Sequence, residues 1–100
     1  MPQEADSAFY NRADEHIRLS NDQVSSEPAL GKVSASMLFG TSRFNAWVTA
    51  CGAGSSAELA EAKAETLEYF VAQYRLMLEE NLDDYISNFA KYMQVGSADA

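Results

Sequence analysis

The least polar stretch of the chain runs from residue 33 to residue 57 and contains one charged side chain, Arg43. Apolar and small residues occur on every side of a helix drawn through this stretch, so it has no consistent polar face. A helix that is apolar all round must be covered all round. We therefore expect this segment to be either the centre of a helical bundle or part of a subunit interface.

The segment before it has the pattern of an amphipathic helix, predicted over residues 6–24. Asp6 and Ser7 are both good N-caps for it. One stripe of residues at spacings of three and four forms its apolar side, from which most charged residues are absent. The stripe consists of Phe9, Ala13, His16, Ile17, Ser20 and Val24. Pro28 and Gly31 then predict a connector over residues 25–31.

A second helix is predicted over residues 32–51 and should stop at Gly52 and Gly54. It has two apolar faces, one of large and one of small residues, so we expect two neighbours to clamp it. The large face consists of Val33, Met37, Phe44, Trp47, Val48 and Cys51, and we expect the Cys51 thiol to be buried and inert. The small face consists of Ala35, Ser42, Ala46 and Ala50.

A third helix is predicted over residues 55–93, opened by a capping box of Ser55 and Glu58. An unbroken helix of that length would measure about 57 Å, which exceeds the dimensions of a compact chain of this size. Either the helix breaks, most naturally at residues 81–84, or its end packs on another subunit. The aromatic residues near that end, Tyr85, Phe89 and Tyr92, are the candidates for such an interface.

These elements predict an all-α fold, a three-helix bundle with a long C-terminal helix. One hundred residues suit a single domain over 1–100. Its ordered core should span about residues 6–94, between a flexible N-terminal arm and a flexible C-terminal tail.

Seven basic and fifteen acidic residues give a formal net charge of -8. Such an acidic chain repels phosphate backbones and anionic lipid heads, so we predict binding neither to nucleic acid nor to membrane. A basic protein is the partner that this charge favours. The single cysteine excludes an internal disulfide, and no leader pattern precedes the first helix. We expect a cytoplasmic protein.

His16 is the only histidine and lies in the apolar stripe of the first helix. It is either a core-facing side chain satisfied by a hydrogen bond or a general base or ligand that titrates near neutral pH. Arg43 lies in a helix expected to be buried, where a guanidinium needs partners. It either forms a structural ion pair or, with Asn45 and His16, holds a small anion between helices.

The densest charge cluster, residues 79–84, has four carboxylates but lacks the pattern of a calcium-binding loop. We interpret it as a solvated face and predict no metal and no cofactor. The chain also lacks phosphate-binding glycine loops, nucleophile elbows and zinc-ligand spacings. No catalytic residues are therefore assigned.

Three segments together identify a resemblance. They are residues 9–17 (FYNRADEHI), residues 32–36 (KVSAS) leading to 43–46 (RFNA), and residues 69–74 (YFVAQY) leading to 80–86 (ENLDDYI). Over about residues 8–93 the chain resembles a family of short, all-helical bacterial proteins known only as a domain of unknown function. The resemblance implies a small helical protein of the bacterial cytoplasm and no activity.

From the residues, the first functional hypothesis is a non-enzymatic module that self-associates, as a homo-oligomer, through the end of the third helix, with one face of the second helix as a further candidate. The second is a small-molecule binder or unrecognised enzyme that uses a pocket around His16 and Arg43. A third is an acidic regulator of a basic protein.

Overall fold

The structure, a computed structural model, describes residues 6–26 and 29–93. They form four helices: α1 (Ser7–Ser26), α2 (Leu30–Cys51), α3 (Ser56–Ser87) and α4 (Phe89–Met93). Within these two ranges there is no strand, so the predicted all-α class with a long C-terminal helix is confirmed. The predicted N-terminal arm and C-terminal tail fall on residues 1–5 and 94–100, which lie outside the described residues.

The chain divides into two compact units, Met1–Leu59 and Ala60–Ala100. The first contains α1, α2 and the start of α3, and the second contains the remainder of α3 and α4. The expectation of one domain over residues 1–100 stays a prediction.

In the first unit, α1 and α2 pack together near their connection. The α1 residues that become half-buried, Phe9, Ala13, Ser20 and Val24, all belong to the predicted stripe. On α2, Val33 is 6% exposed and is the one fully buried apolar residue among those described. The Ser20 hydroxyl donates a hydrogen bond to the Met37 sulfur at 3.1 Å. This contact is the core of the unit.

The ends of α1 and α2 follow the expected capping chemistry. Asp6 caps α1, because its Oδ1 accepts the Ala8 N–H at 3.1 Å. α2 begins at Leu30, two residues before its predicted start, so Gly31 lies in a helical turn rather than in the connector. It ends at Cys51 as predicted, and the Gly52 N–H donates to the Thr49 carbonyl.

The large face of α2 differs from its predicted burial. Phe44 and Trp47 are 60% and 61% exposed, with their ring centroids 5.7 Å apart. Cys51 is also exposed, so the expectation of a buried thiol is wrong. The contact with α1 covers Val33 near the start of the helix but leaves these residues open to solvent.

The capping box at the start of α3 is confirmed, with one shift. The Ser55 hydroxyl accepts the Glu58 N–H at 3.1 Å, as expected. Glu58 reaches back one residue further than the standard box, since its carboxylate accepts the Gly54 N–H at 2.6 Å. One of the free N–H groups of this helix end, that of Glu58, and the N–H of Gly54 before the cap are thereby satisfied.

The break proposed at residues 81–84 does not occur. α3 continues through them, and the Asn81 amide donates to the Met77 carbonyl inside the helix instead of ending it. The interruption falls at Asn88, between α3 and α4. Backbone hydrogen bonds from Asn88 to Asp84 and from Tyr92 to Asn88, both 3.0 Å, still bridge it. Helical structure therefore reaches the predicted end at Met93, with an interruption at Asn88.

Candidate interaction surface

One side of α3 and α4 carries an apolar stripe that is open to solvent along its whole length. Its members follow one another at steps of three, four or seven residues, which places them in a narrow arc of the helix surface. Their exposure ranges from 41% for Leu78 to 62% for Val71. We call this stripe the α3 seam; it consists of Leu67, Val71, Tyr74, Leu78, Tyr85 and Tyr92.

The side of α3 away from the seam is acidic. At 100° per residue its carboxylates fall more than 60° from the seam, and all of them are exposed. This set consists of Glu58, Glu61, Glu65, Glu79, Glu80, Asp83 and Asp84. α3 is therefore amphipathic, with solvated charge on one side and uncovered apolar surface on the other.

The C-terminal end of the seam is held together by its own contacts. The rings of Tyr85 and Tyr92 lie 4.7 Å apart. The Tyr92 hydroxyl donates to Asp84 Oδ2 at 3.0 Å, and the Asn88 amide donates to Asp84 Oδ1 at 3.0 Å. The hydrogen bond to the Asp84 carboxylate, followed by the negative charge of that group, raises the pKa of Tyr92 above its usual value.

All three residues predicted for the interface are exposed at this end: Tyr85 by 49%, Phe89 by 58% and Tyr92 by 42%. The structure brings Tyr85 and Tyr92 together. Their role in an interface stays a prediction.

Within the third helix, the sequence reasoning placed only the C-terminal end in an interface, because the preceding helices were expected to cover the remainder. Leu67, Val71, Tyr74 and Leu78 are nevertheless as exposed as the terminal aromatics. The signal for them was present, since the same spacing of three and four runs from Leu67 to Tyr92 without a change of face.

The residues of the second hypothesis lie on the first unit. His16 is exposed on α1, so the alternative of a core-facing histidine is wrong, and Arg43 is exposed on α2, so its expected burial is wrong as well. Asn45 is half-buried, and its backbone carbonyl accepts the Thr49 hydroxyl at 2.9 Å. In the part of the chain that the structure describes, these three side chains form no hydrogen bond or ion pair with one another. A ligand site made by them stays a prediction.

The described ranges contain neither a candidate metal site nor a candidate membrane span. No group of three or more histidine, cysteine or acidic side chains there is arranged to hold a metal ion, and this includes the acidic cluster at residues 79–84. Among the same residues, no helix combines the length and apolar character needed to cross a bilayer.

Comparison with known proteins gives a family and a structural relative. Residues 9–86 match the family described as "Protein of unknown function (DUF3144)". The NMR structure of the protein NB7890A from Shewanella sp is similar, with 37% sequence identity and a TM-score of 0.73. The match covers 89% of this chain and 94% of that one. No curated protein matches. The resemblance seen in the sequence is thus confirmed: the chain belongs to the family "Protein of unknown function (DUF3144)".

Proposed function

We propose that this protein is a non-enzymatic, self-associating helical module of the bacterial cytoplasm, and that the α3 seam is its interface. The observation that carries the proposal is the imbalance between buried and exposed apolar side chains. Among the described residues, Val33 is the one buried apolar side chain, whereas twenty-three large apolar side chains are exposed. Exposed apolar side chains that gather in a patch, as those of the α3 seam do, are typical of protein interaction sites.

The second unit supports the choice of the seam over other apolar surface. α3 has no buried residue within its 32 residues, although its seam is apolar and periodic. Burying half of the surface of an apolar side chain of this size contributes roughly 1 kcal/mol to the free energy of association. Six seam side chains together would stabilise an assembly by several kcal/mol before the cost of association.

The partner that this surface favours is another copy of the chain. A net charge of -8 opposes nucleic acid and anionic membranes. A basic protein would be attracted to the acidic side of α3, but the seam lies on the opposite side and is apolar. The Shewanella relative supports a bacterial setting for the family.

The test is a pair of matched double variants studied by sedimentation velocity over a range of concentrations. Leu78→Ser with Tyr85→Ser removes two seam residues, whereas Leu76→Ser with Ile86→Ser removes two exposed apolar residues that lie outside the seam. Leu76 and Ile86 are 53% and 73% exposed, more than Leu78 and Tyr85, so the control loses at least as much exposed apolar surface.

We expect the seam variant to dissociate at concentrations where wild type and control remain assembled, with all three equally helical by circular dichroism. A wild-type chain that sediments as a monomer at every concentration would refute the proposal. Equal dissociation by both variants would show that the interface is not the seam.

A further inference from the structure

α3 carries a seven-residue repeat that continues the seam toward its N-terminus. In coiled coils the two positions that face the partner are labelled a and d, and the flanking positions e and g carry the charges that select partner and orientation. In α3 the a positions are Ala57, Ala64, Val71, Leu78, Tyr85 and, beyond its end, Tyr92. The d positions are Ala60, Leu67, Tyr74, Asn81 and Asn88.

Side-chain size changes along this repeat. The first three facing positions are Ala57, Ala60 and Ala64, whereas the later ones include Tyr85 and Tyr92. In a parallel pair, equal positions meet, so alanine would face alanine at one end and tyrosine would face tyrosine at the other. Two straight helices at a single interaxial distance cannot both pack closely at the alanine end and leave room for the tyrosines at the other end. An antiparallel pair instead places the alanines of one end against the larger residues of the other end.

One antiparallel register uses almost all of α3. If Val71 lies opposite Tyr74 of the second copy, then Leu67 lies opposite Leu78 and Ala60 lies opposite Tyr85. The overlap then runs from residue 57 to residue 88, about 48 Å of helix. The most apolar layers lie at its centre, and the layers with Asn81 and Asn88 lie toward its ends, where water can reach their amides.

The flanking charges match in the same register. In an antiparallel pair e positions face e positions and g positions face g positions, so Glu68 lies beside Arg75 of the second copy and Lys63 lies beside Asp84. Two-fold symmetry forms each pair twice. All four side chains are exposed. Within the described residues the side chains of Lys63, Glu68 and Arg75 make no hydrogen bond or ion pair inside the chain, whereas the Asp84 carboxylate also accepts the bonds from Asn88 and Tyr92.

The neighbouring registers and the parallel orientation either bring like charges together or lose the Glu68–Arg75 pair. Sliding the helices by one heptad in one direction places Glu68 opposite itself. Sliding them in the other direction places Arg75 opposite itself and Lys63 opposite Lys91. In a parallel pair Glu68 would still meet Lys63, but Arg75 would lie beside Phe70.

We propose that two copies of this chain associate through an antiparallel, two-fold symmetric pairing of their α3 helices, in which Arg75 of each copy faces Glu68 of the other. This inference rests on the proposed self-association and specifies its geometry.

Charge reversal tests the pairing in the full chain. Arg75→Glu turns both attractive contacts into repulsive ones, and we expect the dimer Kd to rise about tenfold at low salt. Adding Glu68→Arg to the same chain exchanges the two charges and should restore the Kd to within about threefold. Arg18→Glu, the same charge change on exposed α1, is the control and should leave the Kd unchanged.

The exchange distinguishes orientations. In a parallel pair the Glu68→Arg substitution would place a cation beside Lys63, so the double variant would dissociate more than Arg75→Glu alone. Failure of the double variant to restore the Kd in a protein that still dimerises would overturn the proposed pairing.

Spin-label distances test the register independently. Single labels at Ala62→Cys, Leu76→Cys or Asp83→Cys are introduced on the side away from the seam, in a Cys51→Ser background because Cys51 is exposed. The antiparallel register predicts an axial separation of about 32 Å between equal labels at 62 and the same at 83, but about 10 Å at 76. A parallel pair predicts one short distance at all three positions.

The two measurements separate failure of the geometry from failure of self-association. A dimer with equal short distances at all three positions refutes the antiparallel register and leaves the proposed function standing. A monomer, with no intermolecular dipolar signal at any position, refutes both. The expected result is the pattern of two equal long distances and one short one, together with rescue by the exchanged charges.

Discussion

The two units differ in the burial and in the spacing of their apolar residues. The α1–α2 hairpin buries Val33 by contact between neighbours in sequence, and leaves Phe44 and Trp47 exposed on a face without regular charge flanks. α3 buries no residue, yet its apolar positions repeat every seven residues and are flanked by charges of both signs. The local contact between α1 and α2 requires only that the residues near their connection pack together. A long periodic seam with complementary flanks specifies a partner and a register.

The largest loss of stability should come from a substitution of Val33, because its side chain is the buried apolar one among the described residues of the α1–α2 hairpin. Val33→Asp would place an unpaired carboxylate at a site that is 6% exposed and should destabilise the first unit by about 3 kcal/mol. Thermal unfolding followed by circular dichroism measures this. Val48→Asp is the matched control on the same helix, since Val48 is 47% exposed. Similar losses for the two variants would mean that Val33 is not the core of the hairpin.

A smaller effect should come from the cap that starts α3. Ser55→Ala removes the hydroxyl that accepts the Glu58 N–H and should cost about 1 kcal/mol of helix stability. Ser56→Ala is the control, because Ser56 is already helical and an alanine there is neutral or favourable. Chemical denaturation of both variants gives the comparison. A loss for Ser56→Ala equal to that for Ser55→Ala would contradict the assigned cap.

The terminal aromatics should matter less for association than the middle of the seam. Phe89 and Tyr92 lie just beyond the proposed overlap, so we expect Phe89→Ser with Tyr92→Ser to raise the dimer Kd by less than about tenfold, as for residues at an interface rim. The Leu78→Ser, Tyr85→Ser variant should dissociate further under the same sedimentation conditions. The reverse order would place the interface at the end of the helical path, as the sequence alone suggested.

The smallest expected effect is a change in the pKa of Tyr92. Its pKa is raised above 10.0, chiefly because its hydroxyl donates to the Asp84 carboxylate. The contact is therefore fully present below the ordinary tyrosine pKa and is lost as pH rises through the higher value of the folded state. Asp84→Asn removes the charge and should bring the Tyr92 pKa down, which NMR of the ring protons can follow. An unchanged Tyr92 titration in this variant would contradict the observed hydrogen bond.

The elements that the sequence predicted well are those set by local chemistry. Asp6 and Ser55 cap their helices through short side-chain hydrogen bonds, and Gly52 ends α2 where no further turn follows. The stripe on α1 was also recognisable, because burial of Phe9 and Val24 follows from helical spacing alone.

The errors arose where a residue's surroundings depend on packing partners. A stretch that is apolar all round was expected to be covered, either at the centre of a bundle or at a subunit interface, and the burial expected for Arg43 and Cys51 is excluded by their exposure. The break assigned to residues 81–84 failed because Asn81 bonds back to Met77 inside the helix. The sequence shows which helix faces are apolar. Whether the same chain buries them depends on which elements pack against them, and the sequence pattern does not determine that.

The measurement that tests the central claim most directly is native mass spectrometry of the freshly purified full chain, with a denatured control. The account predicts a species at twice the chain mass of 11.0 kDa, without added mass, which separates into single chains on denaturation. A single-chain mass at every concentration would contradict self-association. If that single chain also carried a small adduct lost on denaturation, a ligand site such as the one predicted around His16 and Arg43 would take its place.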